Sequence, residues 1–167
     1  MNLDCDKDRE LAPRNQNLVR SAELMTGASE YGPYDLLEDI DLEPPQDCAS
    51  EVRSFMLDIC SRLAQRMPAV AASSLSVGRD FLSGACDVVA LEAARVACWN
   101  HLGDRSCEFG DPDVNAVRAV ICTLFPDSDD TFDTLHNFLD FAIGAGLPES
   151  QLVDGMRAHF DARLRAR

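Results

Sequence analysis

The chain has 167 residues, of which 46% are apolar, and a formal net charge of −14. This length fits one domain, and the composition is that of a globular protein, which excludes wholesale disorder. No apolar run reaches the length of a membrane-spanning helix, and so acidic a chain does not suit nucleic acid or an anionic membrane surface, both of which attract clustered Lys and Arg.

The negative charge is concentrated in two stretches. Residues 1–50 carry 12 acidic and 4 basic side chains, and residues 103–150 carry 10 acidic and 2 basic, so each stretch contributes −8. Residues 51–102 are balanced at 5 of each sign, and residues 151–167 sum to +2. A negative field focused in this way attracts basic proteins and speeds their encounter. The charge pattern therefore favours a basic protein as the partner.

Residues 1–46 are predicted to form an acidic, partly irregular N-terminal segment ahead of a helical domain over residues 47–167. The segment begins without the basic and apolar parts of a secretory signal, so we expect a cytoplasmic protein. Its clearest pattern lies at residues 34–43, where apolar side chains occur at 36, 37 and 40 before Pro44 and Pro45. This pattern predicts a short helix or an extended segment that the leucines hold against the rest of the protein.

The fold is predicted to be all-α, with a single compact bundle of about six helices. Apolar residues recur every three or four positions in each segment, and prolines, glycines or capping residues separate the segments. Asp47 or Ser50 is expected to cap the first of these helices, Asp111 the fourth, and Asp127 or Ser128 the fifth. The predicted helices cover about residues 47–67, 70–82, 87–102, 112–125, 129–143 and 148–160.

The same periodicity assigns several side chains to the core. Trp99 and Phe132 fall on the apolar faces of the third and fifth predicted helices. The chain has 7 cysteines, an odd number, and we expect them to be reduced thiols that pack as small apolar groups. Those within apolar helical patterns are Cys60, Cys86, Cys98 and Cys122.

Two patterns resemble metal sites, and neither meets the requirements of the metal. Cys98-x2-His101-x5-Cys107 lacks the second close pair of ligands that zinc usually has. Residues 111–115 begin like a calcium loop, but the required glycine is missing and Asp111 is better explained as a helix cap. Neither a nucleophile motif nor a phosphate-binding glycine loop is present. We therefore expect no metal, no cofactor and no enzymatic activity.

Two groups of acidic residues are candidate contacts to a partner. One surrounds both tyrosines of the chain, and its predicted partner-binding residues are Tyr31, Tyr34, Asp35, Glu38, Asp39, Asp41 and Glu43. Aromatic anchors flanked by charge are common in binding hot spots, and each carboxylate can accept an arginine; the alternative is a solvated acidic linker. The other group lies at the start of the fifth predicted helix and consists of Asp127, Asp129, Asp130 and Asp133. Its alternatives are a solvated helix start, where carboxylates stabilise the helix dipole, and an ion site.

Three segments, 77–84, 90–99 and 113–120, carry a resemblance to a known class of protein. Their order of helices, within residues 75–125, resembles that of the small acidic all-α immunity proteins that bacteria encode beside polymorphic toxins of contact-dependent and type VI secretion systems. The resemblance implies an immunity or antitoxin protein that binds a cognate toxin domain and occludes its active site without catalysis. The alternatives are an acidic adaptor or regulatory subunit, and a helical enzyme whose site forms only in the fold.

Overall fold

The computed structural model describes residues 31–126 and 130–164, and predictions about the rest of the chain lie outside the described residues. In the described part, Ile40 and Leu164 form an isolated antiparallel bridge and no strand is present. No helix in this part is long and apolar enough to cross a membrane. The compact all-α fold is confirmed, and α2 to α7 correspond to the six predicted helices. The α-helices formed by these residues are α1 (Pro33–Asp39), α2 (Pro45–Arg62), α3 (Ala69–Leu82), α4 (Val88–Leu102), α5 (Pro112–Thr123), α6 (Thr131–Gly144) and α7 (Glu149–Phe160).

Apolar side chains hold α1 against the bundle. Leu36, Leu37 and Ile40 are buried, and α1 packs on α6 and α7. Of the two alternatives that the sequence leaves open, the structure has the short helix and not the extended segment, and its leucines hold it against the bundle as predicted. The compact unit begins at Tyr31, so residues 31–46 belong to the same unit as the helices that follow.

Prolines and aspartates set the starts of the helices. α2 begins at Pro45, and it has no side-chain cap because the residue at its N-cap position is Pro44, whose side chain has no acceptor. The prediction that Asp47 or Ser50 caps this helix is therefore wrong. Asp111 accepts hydrogen bonds from two backbone N–H groups of α5 at 2.8 and 3.3 Å, so its predicted role as a cap is confirmed.

α6 begins at Thr131, and its cap is Asp130. The Asp130 carboxylate accepts a hydrogen bond from the backbone N–H of Asp133 at 2.9 Å. The prediction that Asp127 or Ser128 caps this helix is wrong, because the capping side chain must come from the residue that directly precedes the first helical turn.

Three phenylalanines form the centre of the core. Phe55 of α2, Phe138 of α6 and Phe160 of α7 are fully buried, and the Phe55 ring centroid lies 5.9 Å from that of Phe138 and 5.4 Å from that of Phe160. The close approach of α7 to α2 depends on Gly155, because a Cβ atom there would lie 2.9 Å from Cδ1 of Ile59. A Cβ atom at this position would therefore force the buried side chain of Ile59 to shift.

Two aromatic side chains that the sequence assigns to the core are exposed instead. Trp99 is 42% exposed and Phe132 is 43% exposed. α4 buries a single stripe that includes Leu91, Ala94 and Cys98, so Trp99 lies on the flank of the helix. The apolar side chains of these helices therefore span a wider face than the one that the neighbouring helices cover.

Most of the thiols lie where the sequence predicts them. Cys60, Cys98 and Cys122 are buried, whereas Cys86 is only half-buried, and the thiols of all four are free. Burial raises the pKa of Cys122 to about 12, and it raises the pKa of Cys60 as well. Both thiols are therefore protonated at neutral pH and act as apolar packing groups.

Candidate partner-binding surfaces

Tyr34 connects α1 to α6. Its hydroxyl donates a hydrogen bond to Oδ1 of Asp140 at 2.5 Å, and its ring centroid lies 5.3 Å from that of His136. Burial, and then the hydrogen bond with Asp140, raise the pKa of the Tyr34 hydroxyl above its usual value. The hydroxyl therefore remains a donor, and it is already engaged within the protein. Tyr31, the other tyrosine of the predicted contact group, is half-buried.

The aromatic contact continues along α6. The ring of His136 lies 6.4 Å from that of the exposed Phe132, one turn earlier. His136 also approaches Asp140 on the following turn, with 3.8 Å between Nδ1 and Oδ2. Because these residues are spaced by four, they follow one side of the helix. Tyr34, His136 and Phe132 thus form a row of rings across α1 and α6.

Carboxylates border this row at both ends. At one end, the side chain of Asp130 hydrogen-bonds to Asp133, and this bond and the Asp130 charge raise the pKa of Asp133. At the other end, the carboxylates of Asp35 and Glu149 both lie within about 4 Å of the place a Gly32 Cβ would occupy. The acidic–aromatic surface, as we name it, consists of Tyr34, Asp35, Asp130, Phe132, Asp133, His136, Asp140 and Glu149.

This surface contains members of both predicted acidic groups, which the sequence treats as alternatives. Asp35 and Tyr34 come from the first group, and Asp130 and Asp133 from the second. The two groups are about 100 residues apart in sequence. The hydrogen bond between Tyr34 and Asp140, which are 106 residues apart, brings them together in the fold. Asp127 and Asp129, the other members of the second group, lie outside the described residues.

The remaining acidic residues of the first group lie at or beyond the end of α1. Glu38, Asp41 and Glu43 are exposed and Asp39 is half-buried. The backbone carbonyl of Asp41 accepts a hydrogen bond from Arg163, which also contacts the carboxylate of Glu51 and the carbonyl of Asp47. This end of the predicted contact group therefore has a basic neighbour. The charge available to a partner is less concentrated here.

A second candidate surface involves residues that the sequence analysis does not select. A groove of about 320 Å³ lies between α4, α5 and α6, and Trp99 forms part of its wall. Its walls are mainly apolar, with one charged side chain, Arg118. The other residues that line the groove are Ile121, Cys122, Phe125, Thr134, Asn137 and Phe141.

Arg118 is unusual because α5 is enclosed on all sides. Every residue of this helix from Val114 to Thr123 is buried, and Arg118 itself is only 5% exposed. Its guanidinium carbon lies 4.0 Å from the ring centroid of Phe109 and 5.2 Å from that of Phe141. Nε and Nη1 of Arg118 are buried and have no hydrogen-bond partner among the described residues.

An unpartnered buried donor costs about 1–3 kcal/mol, and more when it is charged. Aromatic rings offset part of this cost by cation–π attraction, but they accept no strong hydrogen bond. The sequence did contain a signal of this site, because Arg118 is the only charged residue in an apolar helical run from 114 to 124. A cation in such a run predicts either a buried ion pair or a ligand.

The described residues contain no group of three His, Cys, Asp or Glu side chains placed to hold a metal ion. Cys98 of the zinc-like pattern is buried, whereas His101 and Cys107 are exposed. The first aspartate of the calcium-like run has its carboxylate in hydrogen bonds with α5 and in an ion pair with Arg105. Neither pattern therefore forms a metal site within this part of the chain.

No protein-family model, curated protein or solved structure matches this chain. The resemblance to immunity proteins therefore remains an expectation from the sequence.

Proposed function

We propose that this protein is an inhibitor of the immunity type. It binds a basic toxin domain through the acidic–aromatic surface and occludes the active site of that toxin without catalysis. The observation that carries the proposal is the contact of Tyr34 with Asp140 and His136, because it joins the two acidic stretches. A basic partner then meets the carboxylates of both stretches at once. The same surface on a partner that is not toxic would make the protein an adaptor or regulatory subunit.

The arrangement of charge supports a basic partner. A side-chain hydrogen bond with Asp130, and then the charge of Asp130, raise the pKa of Asp133, so the two carboxylates lie close together and their like charges repel. An arginine of the partner relieves this repulsion and forms charge-assisted hydrogen bonds with the carboxylates.

The exposed ring of Phe132 supports a protein partner in particular. It lies beside His136 in the row of rings, with carboxylates on either side. An aromatic side chain that a partner covers excludes water from the charged contacts around it, which strengthens them. We expect this inhibitor to act in the cytoplasm, where thiols stay reduced, and to need no nucleic acid, membrane, metal or cofactor.

The first experiment identifies the partner and asks whether it is toxic. The full chain is used to capture its partner from cells of its source, and the captured protein is then expressed alone and together with the chain. We expect the partner alone to arrest growth and co-expression to restore it. A partner that has no effect on growth would contradict the immunity proposal and favour the adaptor.

The second experiment locates the interface by reversing charge. Asp133→Lys with Glu149→Lys should weaken binding of the captured partner at least tenfold, mainly through slower association, because it removes steering at both ends of the surface. The matched control is Asp80→Lys with Asp154→Lys, which changes the net charge equally at two exposed positions on α3 and α7. Equal losses in the two variants would show that net charge alone matters and would refute this surface as the interface.

A further inference from the structure

The groove between α4, α5 and α6 has the features of a small-molecule site. Its volume of about 320 Å³ lies at the lower end of the range of such sites, which are mostly apolar with a few polar groups. Trp99, Phe125 and Phe141 supply aromatic walls, and Asn137 and Arg118 supply polar atoms. None of the described residues that line it carries a carboxylate.

We propose that this groove binds a small aromatic carboxylate, with the carboxylate on the Arg118 guanidinium and the aromatic body between Trp99, Phe125 and Phe141. The guanidinium is a fork of donors that matches a carboxylate, and two of its nitrogens have no partner. A ligand that brings the missing acceptor completes the hydrogen bonding of a side chain that is 5% exposed.

The chemistry of the walls distinguishes this ligand from other anions. A phosphate carries more charge and more acceptor atoms than one guanidinium in an apolar groove can satisfy. A carboxylate carries a single charge, and the apolar part of the ligand replaces water along the rest of the groove. The ligand therefore needs both a carboxylate and an apolar body.

Phe109 covers one face of the guanidinium, and turning it aside costs mainly that cation–π contact, about 0.5–2 kcal/mol. Its ring lies over Arg118 at 4.0 Å but is 66% exposed, so little buried area is lost when it rotates. The loop backbone that carries this ring is held by Asn115, whose Nδ2 donates a hydrogen bond to the carbonyl of Phe109 at 2.7 Å. The side chain can thus turn while the loop stays in place.

The test uses the full chain and 4-phenylbutyrate as the probe, with isothermal titration calorimetry as the readout. The neutral 4-phenylbutyramide matches the probe in shape, and inorganic phosphate supplies an anion without an apolar body. We expect the carboxylate to bind at least tenfold more tightly than the amide, and phosphate not to bind. Any one of three results would overturn the proposal. These are equal affinity for the acid and the amide, binding of phosphate at least as tight as that of the acid, and no binding of the acid to either the parent or Phe109→Ala.

Variants locate the binding in the groove. Arg118→Met keeps the apolar stem without the charge and should abolish the preference for the acid over the amide. Asn137→Phe fills the groove from an exposed position on α6, which preserves folding, and should abolish binding of both compounds. The matched control is Asn100→Phe at an exposed position of α4 that does not line the groove. Retained binding in Asn137→Phe, or equal loss in Asn100→Phe, would place the ligand elsewhere and refute the assignment. These outcomes are independent of the acidic–aromatic surface and of the toxin.

Discussion

The acidic–aromatic surface exists only if α1 stays docked on α6 and α7, and Leu37 provides a direct test of that docking. Its side chain is 1% exposed, the most buried of the leucines on α1. Truncation of a buried leucine to alanine usually costs 2–5 kcal/mol, depending on how far the site can collapse. Because α1 is a short helix at the edge of the bundle and can settle inward, we expect Leu37→Ala to lower the free energy of unfolding by about 2–3 kcal/mol.

The assay is urea unfolding, followed by the fluorescence of Trp99, the only tryptophan of the chain, and by far-ultraviolet circular dichroism. The variant should unfold at lower urea with an unchanged slope, since stability changes while the exposed area does not. Leu82→Ala is the matched control, because Leu82 is 37% exposed at the end of α3 and should lose less than about 1 kcal/mol. A loss in Leu37→Ala no larger than in the control would refute the docked position of α1.

Three further perturbations test the packing, a helix cap and the thiols. Gly155→Ala should cost about 1–3 kcal/mol because its Cβ meets Cδ1 of Ile59 at 2.9 Å, and Ile59→Val in the same chain should recover part of this loss in urea unfolding. Hydrogen bonds from α5 amides, and then an ion pair, hold the pKa of Asp111 below its usual value, so its stabilisation is present above the ordinary carboxyl pKa and is lost as the pH falls through the folded value. The difference in Tm between the parent and Asp111→Asn should therefore be largest near neutral pH and shrink in acid; a constant difference would contradict this cause. Native labelling with a thiol reagent should lose a fast phase in Cys107→Ser and be unchanged in Cys60→Ser, because only the first of these thiols is exposed; the reverse result would refute the burial.

Helix positions could be predicted from the sequence because their signals are local. The roles of Asp87 and Asp111 depend on signals within one or two turns, and each residue caps the start of a helix in the structure. The prediction that the first bundle helix extends to residue 67 is wrong at its end, because α2 ends at Arg62 and a 3-10 turn over Ala64–Arg66 precedes Pro68. The exposure of Trp99 and Phe132 could not be predicted in the same way. Which flank of an amphipathic helix is covered depends on where its neighbours pack, and that is not encoded within the helix itself.

The candidate surfaces were only partly predictable for a related reason. The acidic residues could be selected from composition. That the two acidic groups share one surface could not be predicted, because it depends on the contact between Tyr34 and Asp140, which are 106 residues apart. Arg118 was not predicted as a site residue, because a cation within an apolar run is equally consistent with a buried ion pair. Only the positions of Phe109 and Phe141 show that aromatic rings surround its guanidinium, and no carboxylate of residues 31–126 and 130–164 forms an ion pair with it.

α6 relates the two surfaces to each other, because it contributes a different face to each. Asp133, His136 and Asp140 share one face by their spacing of three and four, whereas Asn137 and Phe141, each one position later, line the groove. The two surfaces have opposite charge on a molecule whose net charge is −14. Salt screens the attraction between the acidic face and a basic partner, and it equally screens the repulsion between the whole molecule and an anionic ligand. Raising the salt concentration should therefore weaken binding of the basic partner and strengthen binding of the carboxylate, so that one titration series assigns each ligand to its surface.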